Sequence, residues 1–147
     1  MRRILTLIGA TALIASLTTA FAGASGTQAK LQLRGTRMGM ILVNSRGFTI
    51  YAFTRDGHND DNCAEVSGCL SVWLPVTTSG KAIGGRGVNS RLIGTITLKN
   101  RVKQVTYAGH PLYTYVADSG PGQTSYIDVS QFGGRWPAVN AAGNEVK

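Results

Sequence analysis

Two ten-residue stretches follow one pattern: GFTIYAFTRD at residues 47–56 (segment one) and GHPLYTYVAD at residues 109–118 (segment two). Each has Gly, two variable residues, an aliphatic residue, Tyr, one residue, an aromatic residue, two residues and then Asp. Side chains alternate across an extended chain, so Tyr and the following aromatic residue are expected on one face of a strand. The repetition predicts a domain of two similar halves whose apolar faces cover each other.

The rest of the chain favours an all-β class. It contains 19 Gly and only 4 Pro, and its apolar residues occur in short bursts without a sustained helical period after residue 17. We predict a single domain of antiparallel hairpins over residues 38–147, forming a compact sandwich or a barrel-like structure. Repeat one is expected at residues 38–80 and repeat two at residues 92–143. In repeat one, residues 38–43 are expected to form a hairpin with segment one. In repeat two, residues 92–98 are expected to pair with residues 102–107 through a turn at residues 99–101.

The N-terminus has the layout of a secretory signal peptide. Two Arg residues precede an apolar run over residues 4–17, and small residues follow up to Ala22. The apolar run is short for a membrane span. Residues 1–22 are therefore predicted to be removed, leaving a flexible N-terminus at residues 23–37. The mature protein is expected to be exported, periplasmic or secreted, with no membrane span.

The two cysteines, Cys63 and Cys69, are predicted to form a disulfide, because exported proteins fold in an oxidising compartment. Two thiols cannot by themselves make a metal site, and their spacing is not that of a Cys-x-x-Cys redox motif. The bridge would close a short loop and act as a local constraint.

The basic balance points to an acidic partner. The chain carries a formal net charge of +8, with two of its positive charges in the signal peptide. Lys99, Arg101 and Lys103 fall at alternate positions, so on a strand they would share one face. An anionic envelope polymer or a carbohydrate would suit that face better than nucleic acid, which is not the usual partner outside the cell. A solvated strand face is the other interpretation.

Asp56 and Asp118 are equivalent in the two segments and form the first candidate catalytic pair. Two carboxylates at a suitable separation can act as acid and base. Alternatively, each Asp ends a strand and accepts backbone N–H groups or a tyrosine hydroxyl. The repetition favours this structural role for the motif, and no catalytic residue is assigned. The motif residues are Tyr51, Phe53, Asp56, Tyr113, Tyr115 and Asp118.

The polar loop that begins at the end of segment one is a candidate metal site. Asp56, His58, Asp60 and Asp61 offer the oxygen ligands that Ca²⁺ prefers, together with one imidazole. The loop lacks the Gly and Glu of an EF-hand, and His110 is the only other histidine. A solvated acidic loop is the alternative, and no cofactor is predicted.

The aromatic residues allow two interpretations. Together with Trp73 and Trp136, the rings of the two segments could form a stacking platform for a sugar. Their alternation along strands and their pairing across the repeats favour packing in the core.

In this order, the motifs resemble a bacterial exported family known as the secreted repeat of unknown function. The likeness rests on the two Tyr-x-aromatic-x-x-Asp segments, the Cys63…Cys69 pair followed by Trp73, and Gly133-Gly134-x-Trp136. It implies export, two repeats and an all-β domain, and it implies no catalytic residues. Lipid-anchored members carry a Cys after the signal, which this sequence lacks.

Two hypotheses about function follow. The first is an exported, non-enzymatic β-domain protein that serves as a cell-envelope binding or structural module. The second is a small hydrolase or metal-dependent enzyme that uses Asp56 and Asp118 or the His58 loop. The second requires the two carboxylates to share an open cleft. The sequence contains no Gly-x-Ser-x-Gly, His-Glu-x-x-His or phosphate-loop motif that would favour an enzyme.

Overall fold

The computed structural model describes residues 27–147, and the predicted signal peptide at residues 1–22 lies outside them. The described chain is mostly strands, with one short α-helix and two short 3-10 turns. The elements are β1 (Lys30–Thr36), β2 (Gly39–Asn44), α1 (Cys69–Val72), β3 (Trp73–Pro75), β4 (Thr77–Thr78), β5 (Ile83–Gly84), β6 (Ile93–Thr97), β7 (Lys103–Tyr107), β8 (His110–Pro111), β9 (Tyr113–Tyr115), β10 (Val129–Gln131), β11 (Gly134–Trp136), β12 (Ala138–Val139) and β13 (Glu145–Val146).

These strands form several small sheets. One has the order β2-β1-β5, and another has the order β4-β7-β6 with β8 paired to β7. The remaining strands form the pairs β3-β9, β10-β11 and β12-β13. The predicted all-β class is confirmed. The barrel-like alternative is not, because the sheets of residues 27–147 do not close on one another.

The first hairpin begins earlier than the sequence analysis predicted. β1 pairs with β2 in antiparallel register from Leu31 opposite Asn44 to Thr36 opposite Gly39. This strand lies within residues 23–37, which were expected to be a flexible terminus, so the β domain does not start at residue 38. The signal was the alternation of Leu31 and Leu33 with polar neighbours, which is the period of a half-buried strand. Leu31 is fully buried.

The second hairpin has the predicted pairing. β6 and β7 are antiparallel from Ile93 opposite Tyr107 to Thr97 opposite Lys103. The expected hairpin between residues 38–43 and segment one is formed over a short length. Val43 and Thr49 form an antiparallel bridge, the N–H of Ile50 donates to the carbonyl of Leu42 at 3.1 Å, and the N–H of Asn44 donates to the carbonyl of Phe48 at 2.9 Å. The equivalent units of the two halves are therefore the hairpins β1-β2 and β6-β7, each followed by one of the repeated segments.

The two segments pair with each other at the centre of the domain. The N–H of Tyr51 donates to the carbonyl of Tyr113 at 2.9 Å, and the N–H of Tyr113 donates back at 3.0 Å. The Trp strands then cross between the halves. β3 of the first half pairs with β9 of the second, and Trp73 lies opposite Tyr115. In return, the carbonyl of Pro137 accepts the N–H of Ala52 at 2.9 Å.

This exchange explains why neither half buries its apolar residues alone. An aliphatic cluster mixes residues of both hairpins, and an aromatic cluster mixes the rings of both segments. The fully buried aliphatic residues include Leu31, Leu42, Ile50, Val105, Leu112 and Val139.

The predicted disulfide is confirmed. Cys63 and Cys69 are bonded, with their Cα atoms 5.4 Å apart, and both are fully buried in the aromatic cluster. Gly68 takes a left-handed φ of 78° just before α1, a conformation that costs glycine little. Helix α1 then leads directly into Trp73, so the bridge fixes the entry of the first Trp strand.

The double substitution Cys63→Ala and Cys69→Ala should lower the free energy of unfolding by about 2 to 3 kcal/mol, because the short loop regains conformational entropy in the unfolded chain. Denaturant unfolding measures the loss. Ala64→Gly, at an exposed position of the same loop, is the control for local backbone effects. An unchanged unfolding midpoint in the double variant would contradict the structural role of the bridge.

Candidate functional site

Each repeated Asp is bound by the Tyr of the other half. The hydroxyl of Tyr51 donates to Asp118, 3.1 Å from Oδ2 and 3.3 Å from Oδ1. The hydroxyl of Tyr113 donates to Asp56 Oδ2 at 2.7 Å. The two segments therefore exchange a hydrogen bond in each direction, around the backbone pair of Tyr51 and Tyr113. The arrangement agrees with a structural role for the motif.

Burial sets the ionisation of these groups. Desolvation raises the pKa of Asp56 to about 7, and the nearby Asp61 carboxylate raises it further, while the Tyr113 hydroxyl lowers it. Desolvation also raises the pKa of Asp118 to about 6 against the lowering effect of Tyr51. Burial and the facing carboxylates raise the pKa of both tyrosine hydroxyls far above the ordinary value, so both remain protonated donors.

Asp56 also organises the loop that follows it. Its Oδ1 accepts the N–H of Asn62 at 2.8 Å and the N–H of Cys63 at 3.4 Å. Both oxygens are thus occupied by internal donors. Neither Asp56 nor Asp118 lines the clefts described for residues 27–147. An acid–base pair must reach its substrate, and none of these clefts is shared by the two carboxylates.

The aromatic rings form a continuous stack in the core. The ring of Trp73 lies on that of Trp136 with centroids 4.0 Å apart and planes 2° apart. Tyr115 extends the stack beyond Trp73 at 4.3 Å, and Phe53 extends it beyond Trp136 at 4.2 Å. Phe53 and both Trp rings are buried, and Tyr115 is half-buried. The rings therefore pack against each other and do not present a platform to a ligand.

Two further rings complete the symmetry of this stack. Tyr51 meets Trp73 edge-on at 5.1 Å, and Tyr113 meets Trp136 edge-on at the same distance. Edge-on contact places the positive ring edge against a negative face, an arrangement worth about 0.5 to 1.5 kcal/mol beyond the buried area. The motif positions of both halves thus act as one aromatic core.

Gln131, at the end of β10, binds both indoles. Its Oε1 accepts the Nε1–H of Trp73 at 2.8 Å, and its backbone carbonyl accepts the Nε1–H of Trp136 at 3.2 Å. Sequence reasoning missed this residue. A buried indole N–H requires an acceptor, but the pattern of the chain does not indicate which amide supplies it.

The predicted metal-ligating residues do not converge. His58 is exposed and its ring packs against Gly109, where an added Cβ would collide with the imidazole. Asp60 is exposed, and Asp61 Oδ1 accepts the N–H of Ala64 at 2.8 Å. Within residues 27–147, no three His, Cys, Asp or Glu side chains are grouped so as to hold a metal ion together. Of the four candidates, Asp61 lies close enough to Asp56 and to Asp60 for their charges to interact.

The predicted basic strand face is not formed. Lys99 and Arg101 lie in the turn between β6 and β7, and only Lys103 belongs to a strand. Arg101 takes a left-handed φ of 65°, and Lys99 forms an exposed ion pair with Glu65 at 2.7 Å. The three side chains therefore do not share one strand face, because Lys99 and Arg101 lie in the turn that joins β6 to β7.

A different basic site lies at one end of the first hairpin. A groove of about 540 Å³ is lined by residues 27–30, 44–46 and 74–79 together with Val102 and Thr114. Lys30 and Arg46 are its charged residues, and no carboxylate lines it. Sequence reasoning missed this site because its parts are separated along the chain and meet only through the strand pairing.

A family model matches much of the second half of the chain. Residues 94–140 match the model of a family described as a secreted repeat of unknown function. The match confirms the resemblance stated above. It runs from β6 to the residue after β12, so it covers the second hairpin, segment two and the second Trp strand. No curated protein and no solved structure matches the chain significantly.

The description of the family as a secreted repeat agrees with the predicted export of the protein. In residues 27–147, no helix has both the length and the apolar character that crossing a bilayer requires. Within the matched residues, Tyr113, Tyr115 and Trp136 lie in the aromatic cluster, and Asp118 accepts the Tyr51 hydroxyl.

The stability of this protein should depend on pH through Asp56. Its pKa is higher in the folded than in the unfolded chain, so the folded protein holds this proton more tightly. The resulting stabilisation is complete below the unfolded pKa of about 4 and is lost as the pH rises through about 7. The melting temperature should therefore fall between about pH 4 and pH 7 and level off above that range. Asp56→Asn, which cannot ionise, should show a flatter profile.

The matched control for this profile is Asp60→Asn, which removes an exposed carboxylate from the same loop. Circular dichroism melts of the three proteins across the pH range provide the comparison. An identical pH slope in Asp56→Asn and the unsubstituted protein would show that the Tyr113–Asp56 pair does not take up the proton.

Gln131→Ala should lower the free energy of unfolding by about 1 to 3 kcal/mol, because the indole N–H of Trp73 is left buried without an acceptor. Trp136 should keep its bond, since its acceptor is the backbone carbonyl. Denaturant unfolding followed by tryptophan fluorescence measures the change. Ser130→Ala, at the exposed neighbouring position, is the control. Equal stability of the two variants would contradict the role assigned to Gln131.

Proposed function

We propose that this chain is an exported, non-enzymatic β-domain protein that serves as a cell-envelope binding module for an anionic or carbohydrate partner. The proposal rests on the observation that the motif residues bind one another inside the domain. Both repeated carboxylates accept tyrosine hydroxyls, and both indoles bond to Gln131. The residues best suited to chemistry thus stabilise the core, and the surface remains for a partner.

The charge of that surface favours an acidic partner. Three acidic side chains form ion pairs, Glu65 with Lys99, Asp128 with Arg135, and Glu145 with Lys147. Asp61 and Asp118 are buried. Most Lys and Arg side chains in residues 27–147 therefore have no ion-pair partner. A surface with excess positive charge attracts polyanions and raises their rate of encounter.

A hydrolase is the second candidate, since Asp56, with a pKa near neutrality, has the property of a general acid or base. A general acid or base must reach the proton that it transfers. Asp56 faces Tyr113, Asn62 and Cys63, and Asp118 faces Tyr51, and neither carboxylate lines a described cleft. The geometry gives more support to the binding module.

The test is titration calorimetry of the mature protein with an acidic glycan, oligogalacturonate, and with a neutral glycan, dextran, at increasing salt. We expect binding to oligogalacturonate that weakens as salt screens the charges, and no binding to dextran. The double variant Asp56→Asn and Asp118→Asn should bind as the unsubstituted protein does, provided that its circular dichroism spectrum is unchanged. Absence of binding to acidic glycans, or loss of binding in a folded double variant, would overturn the proposal.

A further inference from the structure

We propose that the groove between the β1–β2 hairpin and the β3–β4 segment is the binding site, and that its ligand is a glycan carrying carboxylate or phosphate groups held by Lys30 and Arg46. This inference rests on the proposed function and assigns a place and a ligand chemistry to it. The groove differs from the Lys99, Arg101 and Lys103 site that the sequence suggested.

The size of the groove suits a few sugar units. Its volume of about 540 Å³ lies within the roughly 300–1,000 Å³ that small-ligand sites occupy. The three other described clefts have volumes of about 430, 260 and 170 Å³. The 430 Å³ cleft is lined by residues 130–135 alone, so it is a single hairpin surface. The proposed groove is lined by five separate parts of the chain, which form its walls.

Charge complementarity indicates the anion. Lys30 and Arg46 are exposed, and neither forms an ion pair with an acidic residue of the described chain. The guanidinium carbon of Arg46 lies 5.1 Å from the centre of the Phe48 ring, which holds the planar group over an aromatic face. A guanidinium held in this way keeps donors for the paired hydrogen bonds that carboxylate and phosphate groups accept.

The rest of the lining indicates a sugar. Hydroxyl and amide side chains contribute much of the wall, among them Ser45, Thr77 and Thr114. Leu74 and Val102 add an apolar surface and are 42% and 37% exposed. Sugar rings have hydroxyl groups around the edge and C–H groups on the faces, so they use both kinds of surface. Single-stranded nucleic acid would need aromatic stacking, and the described stacked rings lie in the core.

The walls are held in position before a ligand arrives. Asn44 Oδ1 accepts the N–H of Arg46 at 2.9 Å and the N–H of Phe48 at 3.1 Å, which fixes the turn that carries Arg46. On the other wall, the N–H of Ala29 donates to Thr78 Oγ1 at 3.1 Å. Little ordering is then needed on binding, which favours affinity.

The test compares two variants that each remove two positive charges. Lys30→Ala with Arg46→Ala changes the groove, and Lys99→Ala with Arg101→Ala changes the turn between β6 and β7. Titration with oligogalacturonate and with a sugar-phosphate polymer should show a loss of about tenfold or more in affinity for the groove variant. The turn variant should bind within about threefold of the unsubstituted protein, because screened surface charges contribute little. Arg46→Lys should bind with intermediate affinity, because it keeps the positive charge and loses the paired N–H donors of the planar guanidinium.

The outcomes separate this inference from the proposed function. Binding of either acidic glycan that is lost in the groove variant, with an unchanged melting temperature, supports the site. Equal losses in both variants would overturn the groove and leave the proposed function standing. No binding to either glycan would overturn both the groove assignment and the proposed function. A dimer in sedimentation that Leu74→Ser dissociates would identify a second copy as the occupant and would also overturn the glycan site.

Discussion

Two hydroxyl–carboxylate hydrogen bonds, one buried and one partly buried, join the halves of this domain. A buried tyrosine hydroxyl needs an acceptor, and a buried carboxylate needs donors, or each costs free energy. Each half supplies one hydroxyl and one carboxylate, but the partners come from the opposite half. Neither segment satisfies its own polar groups, so docking of the halves completes both pairs at once. The stacked rings of Trp73 and Trp136 lie in the same cluster and have the same requirement.

The two halves are equivalent in this core but not in their loops. Asp56 accepts two backbone N–H groups as well as the tyrosine hydroxyl, and it lies near Asp61. The described hydrogen bonds to the Asp118 side chain come from Tyr51 alone. The difference follows from the disulfide loop, which brings extra backbone donors and a second carboxylate to the first site only. Desolvation raises the pKa of both carboxyl groups, and the Asp61 carboxylate adds to the rise at Asp56.

The local features could be predicted from the sequence because they depend on neighbouring residues. The repeated segment indicated two halves, the alternation in residues 93–107 indicated the second hairpin, and the spacing of Cys63 and Cys69 indicated the bridge. The alternation of Leu31 and Leu33 was present but short, and it stood beside the predicted signal peptide. That alternation corresponds to β1 in the structure.

The long-range features could not be predicted in this way. The pairing of Trp73 with Tyr115 joins residues of different halves, and no periodicity in either half specifies it. Gln131 is one of several polar residues near the second Trp, and only the folded hairpin places it against both indoles. Alternate spacing does not place Lys99, Arg101 and Lys103 on one face, because the chain reverses direction at Lys99 and Arg101.

The same crossing that builds the core also creates the groove. Because the Trp strand of the first half pairs with segment two, Leu74 is drawn beside Thr114, while the β1–β2 hairpin contributes Lys30 and Arg46. The groove therefore contains residues from both halves, although the core appears symmetric. Aromatic rings and carboxylates, which often form glycan sites, are used here for stability. A binding surface then has to be assembled from cations, hydroxyl groups and aliphatic side chains, which are the residues that line the groove.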